Sequence, residues 1–201
     1  IDRCRMPYLQ CFGAVLDPFA AWQLMQGVSF IVPHAYHIKL HKASKFFAPP
    51  SFGKHSYFNF GMRQMNDFLA RGTYLCSRGK LAVDLALLDP TDSIWEGTGD
   101  SWVELDLAKR LNHMPQGYII SDMKGLRQKA DQLKAVINPG LPLTQQDREE
   151  IASLGLQLIE AEELEDLSVL EQRFPTGIRW EGTGELMFMR RRLEDGSTLV
   201  I

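Results

Sequence analysis

The chain has 201 residues, of which 45% are hydrophobic and 23% are charged, and its formal net charge at pH 7 is −3. This composition is typical of one or two globular domains with a core, and it gives no reason to expect a nucleic acid partner. The charge is uneven, since residues 1–88 carry 10 Lys and Arg against 4 Asp and Glu, whereas the remainder carries 12 against 21. Two chemically different segments therefore meet near residue 80.

The cysteines and the apolar runs indicate neither a disulfide framework nor a membrane span. Cys4, Cys11 and Cys76 are widely spaced and form no CxxC pair, so we interpret them as reduced or packed thiols. No apolar run reaches the length of about 18 residues that a membrane helix needs. Because the chain begins with Ile1 rather than Met, we expect the natural N-terminus to lie upstream. Localisation stays open between the cytoplasm and the periplasm or secretion.

The first readable pattern is a helix followed by a buried strand. Asp17 is typical of an N-cap, Pro18 is favoured at the first helical position, and Gly27 is typical of a helix stop. These signals predict a helix over 18–26. The β-branched and aromatic run at 28–32 then predicts a strand.

A long loop and a second helix follow. Residues 41–60 contain Pro49, Pro50 and Gly53 among aromatic residues without a clear period, and loops of this length in compact domains are usually functional. A helix that ends at Gly79 is predicted next, because apolar residues recur at helical spacing. These residues are Met62, Met65, Phe68, Leu69 and Leu75.

From residue 81 the pattern alternates between buried strands and amphipathic helices. Strands are predicted at 81–90, 117–122, 134–140 and 156–161, and helices at 101–114, 124–133 and 143–155. Trp102, Leu105 and Leu111 are expected to face inward, and Thr144 and Gly155 mark the two ends of the third helix. This alternation predicts a small doubly wound α/β unit with a mostly parallel sheet covered on both faces.

After about residue 175 the alternation stops and two or three antiparallel strands are predicted, with turns at Gly182–Gly184 and Asp195–Gly196. The pentapeptide WEGTG occurs at 95–99 and again at 180–184. Five residues are too few for a solenoid repeat. Two interpretations remain open, a shared turn chemistry and a shared sugar-contacting loop.

Three histidines stand at i, i+3 and i+7, namely His34, His37 and His41. On a helix they would share one face and could bind zinc. Pro33 and the β-branched residues before it favour extended backbone instead, and no acidic or cysteine ligand lies nearby. A metal site is therefore disfavoured, and two interpretations stay open. In the first, the histidines and Tyr36 line a pocket at the end of a strand. In the second, they are ordinary loop or packed residues.

Other candidate groups carry weaker signals. The loop aromatics could stack on sugar rings or form the buried underside of the loop, and their interleaving with lysines resembles a nucleic acid platform without its signatures. Asp92 and Glu96 follow a strand and are better placed for acid–base chemistry than the carboxylates before residue 89. No nucleophile-elbow, phosphate-loop or dinucleotide motif occurs.

The segments GVSFIVPHAY, PPSF, DFLARGTYLCSRGKLAVDLALLDPTDSIWEG and KAVINPGLPLTQQDREEIASLG together resemble the later part of large bacterial glycoside hydrolases of the α-L-rhamnosidase-like group. The resemblance implies that residues 1–80 are the last βα units of a TIM barrel and residues 81–175 a flavodoxin-like accessory domain. Residues 176–201 would begin a β-sandwich. Ser29 stands where the family pattern has Asn.

The same resemblance implies that His34, Tyr36 and His37 contact sugar at the mouth of the barrel. Gln10 stands where the family carries a Glu, and an amide cannot act as a general acid or nucleophile. A barrel needs about 200–250 residues, so the catalytic carboxylates are expected to lie mostly outside this chain.

The sequence therefore predicts a fragment or degenerate homologue of a glycoside hydrolase that acts on terminal sugars of polysaccharides. The alternative is a non-catalytic carbohydrate-binding or oligomerisation module, with a homo-oligomer as one outcome. No cofactor, metal, nucleic acid or membrane partner is expected. A flavin is disfavoured because acidic side chains after the first strand would repel its phosphate.

Overall fold

The computed structural model of the chain describes residues 19–32, 52–54, 59, 61–98, 101–182 and 186–201 and, within 101–104, the backbone only. The chain divides into two compact units, Ile1–Arg78 and Gly79–Ile201. No helix among the described residues combines the length and the apolar character that crossing a membrane requires.

Two predicted helices are present in the first unit. Helix α1 runs through residues 19–25, and Gly27 follows it with φ +89°, which explains why a glycine ends this helix. Helix α2 is Met62–Ser77. The buried contacts between the two come from Ala20, Met65 and Leu69. Both helix predictions are therefore confirmed over the described residues, and this small core packs the two helices together.

The strand predicted at 28–32 is wrong. These residues have no regular secondary structure, and Phe30 and Val32 are 80% and 69% exposed. An apolar β-branched run becomes a strand only where a neighbouring strand satisfies its backbone groups, and no strand occurs among the described residues of this unit. The TIM-barrel assignment is not confirmed.

The second unit contains most of the regular structure. Its strands are β1 (Lys80–Leu81), β2 (Leu85–Leu88), β3 (Tyr118–Ser121), β4 (Ala135–Asn138), β5 (Gln157–Glu160), β6 (Arg190–Arg192) and β7 (Thr198–Val200). Its helices are α3 (Thr91–Trp95), α4 (Ser101–Leu111), α5 (Met123–Lys129), α6 (Gln145–Ser153) and α7 (Ser168–Arg173), with 3₁₀ turns at Ala130–Gln132 and Ala161–Leu164.

Four strands form the predicted parallel sheet in the order β3-β2-β4-β5. The register pairs Leu88 with Ser121 and Asn138 with Glu160. All four residues of both central strands, β2 and β4, are buried, as expected for a parallel sheet covered on both faces.

Helices pack on both faces of the sheet, as predicted. Leu85, Leu87 and Ile137 on one face pack with residues of α4 and α7, and Ala86, Leu88 and Val136 on the other face pack with residues of α5 and α6. The buried stripe of α4 runs through Leu107 and Leu111, whereas Leu105 is exposed. The inward orientation predicted for Leu105 is therefore wrong, because residues 105 and 107 lie on different sides of a helix.

A separate antiparallel sheet has the order β1-β6-β7. The hairpin of β6 and β7 turns at Gly196, which has φ +84°, and this confirms the turn predicted at Asp195–Gly196. The single strand predicted over 81–90 is instead divided, since β1 joins the antiparallel sheet and β2 the parallel one.

A buried ion pair links the hairpin to the amino-terminal edge of the parallel sheet. Asp84 precedes β2 and is 7% exposed. Its carboxylate accepts from Arg190 Nη2 at 2.5 Å and lies 3.0 Å from Lys134 Nζ. The same Nη2 donates to the carbonyl of Gln116, which precedes β3. One residue of the hairpin therefore binds two loops of the sheet.

Candidate functional site

The carboxyl edge of the parallel sheet is the first place to expect a ligand. From β2 the chain crosses to β3 on one side and then passes to β4 on the other. In open α/β sheets ligands usually bind at such a switch point. Asp89 after β2 and Asn138 at the end of β4 are polar residues at the ends of the two strands that flank this point.

These polar groups are already engaged in holding their own loops. Asp89 Oδ1 accepts from the backbone N–H and the hydroxyl of Thr91, at 2.9 and 2.5 Å. Asn138 is 2% exposed; its amide group donates to Leu141 O and to Glu160 Oε2, and its Oδ1 accepts from Leu141 N at 2.7 Å. Glu160 in turn accepts from Arg148. The hydrogen-bonding groups of Asp89 and Asn138 at this edge are therefore satisfied by contacts within the protein.

The two carboxylates favoured by their position after the first strand are solvated. Asp92 lies in the first turn of α3, Glu96 is the C-cap residue of that helix, and both are exposed. Acidic side chains in a first turn are stabilised by the helix dipole without any ligand. This unit also contains a cavity, and neither residue lines it.

That cavity has a volume of about 510 Å³, within the range of small-molecule sites, about 300–1,000 Å³. It lies between the residues that follow α4, one residue of α7 and the segment that leads to β6. Its wall is formed by His113, Pro115, Glu171, Ile178, Arg179, Trp180, Glu181, Gly182 and Phe188.

Trp180 packs against the glycine two residues later. A side chain at position 182 would overlap the ring of Trp180, so the indole lies directly against this glycine and any larger residue would displace it. Trp180 is 37% exposed. Part of this residue is therefore accessible, and it contributes to the wall of the cavity.

His113 is oriented by a hydrogen bond with the segment that leads to β6. Its Nδ1 lies 2.8 Å from the carbonyl oxygen of Leu186. A carbonyl only accepts, so Nδ1 carries the proton and Nε2 remains as the second polar atom of the ring. The backbone N–H of Phe188 also donates to Asn112 O at 3.4 Å, which holds the same segment beside the end of α4.

The charged side chains of the wall are Glu171, Arg179 and Glu181. All three are exposed, and within the described part of the chain they make no hydrogen bond or ion pair. Arg173, two residues from Glu171, instead donates to Glu163 at 3.0 Å. The wall of the cavity thus combines an aromatic face with unengaged donors and acceptors.

The site residues predicted from the sequence, His34, Tyr36 and His37, lie outside the described residues, as does Gln10. Among the loop aromatics, Phe52 is described, and it lines an apolar cavity of about 320 Å³ in the first unit. In the described ranges no group of three His, Cys, Asp or Glu side chains is placed to hold a metal ion.

The repeat WEGTG at 180–184 contains Trp180, which is not among the site residues predicted from the sequence. The two copies differ in their surroundings, because Trp95 ends α3 and is 82% exposed, whereas Trp180 lines the cavity. The sequence signal that could have identified this residue is a tryptophan two residues before a glycine. The partners across the cavity, His113 and Glu171, come from distant positions that no local pattern connects.

Comparison of the chain with protein-family models, with curated proteins and with solved structures gave no significant match.

Proposed function

We propose that residues 79–201 are a carbohydrate-binding accessory unit of a glycoside hydrolase, built on a flavodoxin-like sheet, and that the cavity lined by Trp180 takes the sugar. The parallel strand order and the covered faces support the flavodoxin-like assignment. The resemblance of the sequence to α-L-rhamnosidase-like enzymes supports the glycosidase context.

The observation that carries the proposal is the partly exposed indole of Trp180 next to unengaged polar side chains. A pyranose ring has an apolar face of C–H groups that packs on an aromatic ring, and an edge of hydroxyl groups that need donors and acceptors. Glu171 and Glu181 supply acceptors, and Arg179 supplies donors. A monosaccharide or disaccharide fits the volume of about 510 Å³.

Catalysis at the same cavity is the second candidate. Glycosidases use two carboxylic groups, and Glu171 and Glu181 line one cavity. Their exposure favours binding instead, because a general acid is usually kept in an apolar environment that retains its proton. The resemblance likewise implies catalytic carboxylates outside this chain.

Isothermal titration of the chain with a panel of neutral monosaccharides and disaccharides tests the proposal. We expect saturable binding, weakened at least about fivefold by Trp180→Ala, because removing an aromatic contact that packs on the ligand removes about 1 kcal/mol or more. The matched control is Trp95→Ala, which changes the other copy of the repeat and should leave binding unchanged.

Two results would contradict this proposal. Absence of saturable binding across the panel is one, and equal effects of the two tryptophan substitutions is the other. Release of nitrophenol from aryl glycosides, lost in Glu171→Gln, would replace the binding role with a catalytic one.

A further inference from the structure

The cavity lined by Trp180 has an unbalanced charge. Glu171 and Glu181 each carry one negative charge and Arg179 one positive charge, so the wall carries a net charge of −1 when histidine is counted as neutral at pH 7. The three side chains make no ion pair within the described residues, so no partner described there neutralises this charge.

Neighbouring cations on the packed helices do not offset this charge in the wall. Lys109 and Arg110 occupy the last turn of α4, but neither lines the cavity. Arg110 Nη2 donates to the carbonyls of Leu164 and Glu165, at 2.5 and 2.9 Å. Arg173 of α7 is paired with Glu163.

The aromatic wall also favours a cationic ligand. The face of an indole attracts a cation through its quadrupole, and tryptophan is the strongest of the aromatic residues in this respect. Trp180 and Glu181 are adjacent in sequence and both line the cavity. An ammonium group on a sugar ring can therefore meet an aromatic face and a carboxylate together.

We infer that the cavity is selective for amino sugars, whose ring carries an ammonium group, over neutral sugars, and that it discriminates against uronic acids. This inference rests on the proposed function, because it requires that the cavity binds a sugar. Exposed ion pairs change affinity by small factors, so two carboxylates should favour D-glucosamine over D-glucose by about three- to tenfold at low salt.

Titration of the full chain with D-glucosamine, D-glucose and D-glucuronate at about pH 7, below the ordinary pKa of an amine, tests the inference. The expected affinity falls in that order. Raising the salt from about 20 mM to about 500 mM should bring the three affinities together, because screening weakens interactions between exposed charges.

Charge variants separate the wall from the general charge of the protein. Glu171→Gln combined with Glu181→Gln should make D-glucosamine and D-glucose equal, and Arg179→Gln should increase the preference for D-glucosamine. The matched control combines Glu162→Gln with Glu194→Gln. It removes the same charge from exposed positions outside the wall and should leave the preference unchanged.

Each outcome bears on one claim. If D-glucose binds and D-glucosamine binds no tighter, the inference is overturned and the proposed sugar binding stands. If the control pair abolishes the preference as fully as the wall pair, the selectivity does not come from this cavity. If no sugar binds, the proposed function itself fails.

Discussion

Asp84 is the residue through which the hairpin of β6 and β7 binds to the parallel sheet. Its buried carboxylate receives Arg190 at 2.5 Å and lies 3.0 Å from Lys134. The Arg190 side chain is 13% exposed, whereas that of Lys134 is 50% exposed. Arg190 is thus the partner whose loss would leave the buried carboxylate least compensated.

Substituting Arg190 with methionine tests this ion pair. We expect Arg190→Met to lower the free energy of unfolding by about 2–3 kcal/mol, because it leaves the buried Asp84 carboxylate with the half-exposed Lys134 as its remaining charged partner. Urea denaturation measures the change. Arg173→Met is the control, since its pair with Glu163 is exposed and should cost less than about 1 kcal/mol. Similar costs for the two variants would contradict the structural role of Arg190.

At the scale of elements, α6 begins with a complete capping box. Thr144 Oγ1 accepts from the backbone N–H of Asp147 at 3.1 Å, and Asp147 Oδ2 accepts from the hydroxyl and the backbone N–H of Thr144 at 2.6 and 2.9 Å. The two bonds that Asp147 accepts lower its pKa below the usual value, and the bond from the Thr144 hydroxyl has the larger effect. The sequence predicted Thr144 as the N-cap, and the reciprocal contact of Asp147 is a finding of the structure.

The lowered pKa of Asp147 gives the cap a defined pH dependence. A carboxyl group with a lower pKa in the folded state stabilises the protein above its unfolded pKa, and this stabilisation is lost as the pH falls through the folded value. Asp147→Asn should therefore be less stable than the parent at pH 7, and the difference should shrink from about pH 4 downward. Urea denaturation of the parent and of Asp147→Asn, at pH 7 and again below about pH 4, measures this difference in stability.

Asp106→Asn is the control for the cap, because Asp106 is exposed on α4 and has no hydrogen bond or ion pair within the described structure. A difference between parent and Asp147→Asn that persists unchanged at low pH would show that the carboxylate contributes nothing to the cap.

The elements that sequence predicted well are those with local causes. The buried runs of β2 and β4 are continuous, and the caps of α6 are marked by Thr144 and Gly155. Two predictions failed where the cause is not local. The run at 28–32 lacks a partner strand among the described residues, and the split between β1 and β2 depends on β6, more than 100 residues later.

For the molecule as a whole, the fold of the second unit was easier to predict than its site. Strand and helix alternation is periodic, so the parallel sheet follows from it. The cavity is formed by residues near 113, 171 and 180, which belong to three segments without a shared period. Their proximity is a product of the packing of α4 and α7 on one face of the sheet.

The central claim is that a sugar binds at the cavity lined by Trp180 rather than at the carboxyl edge of the sheet. Chemical-shift mapping of the isotopically labelled full chain, titrated with the sugar that binds best, tests it most directly. We predict the largest shifts at the Trp180 indole N–H and at the amides of His113 and Glu171. Shifts concentrated at Asp89 and Asn138, with Trp180 unchanged, would contradict the claim.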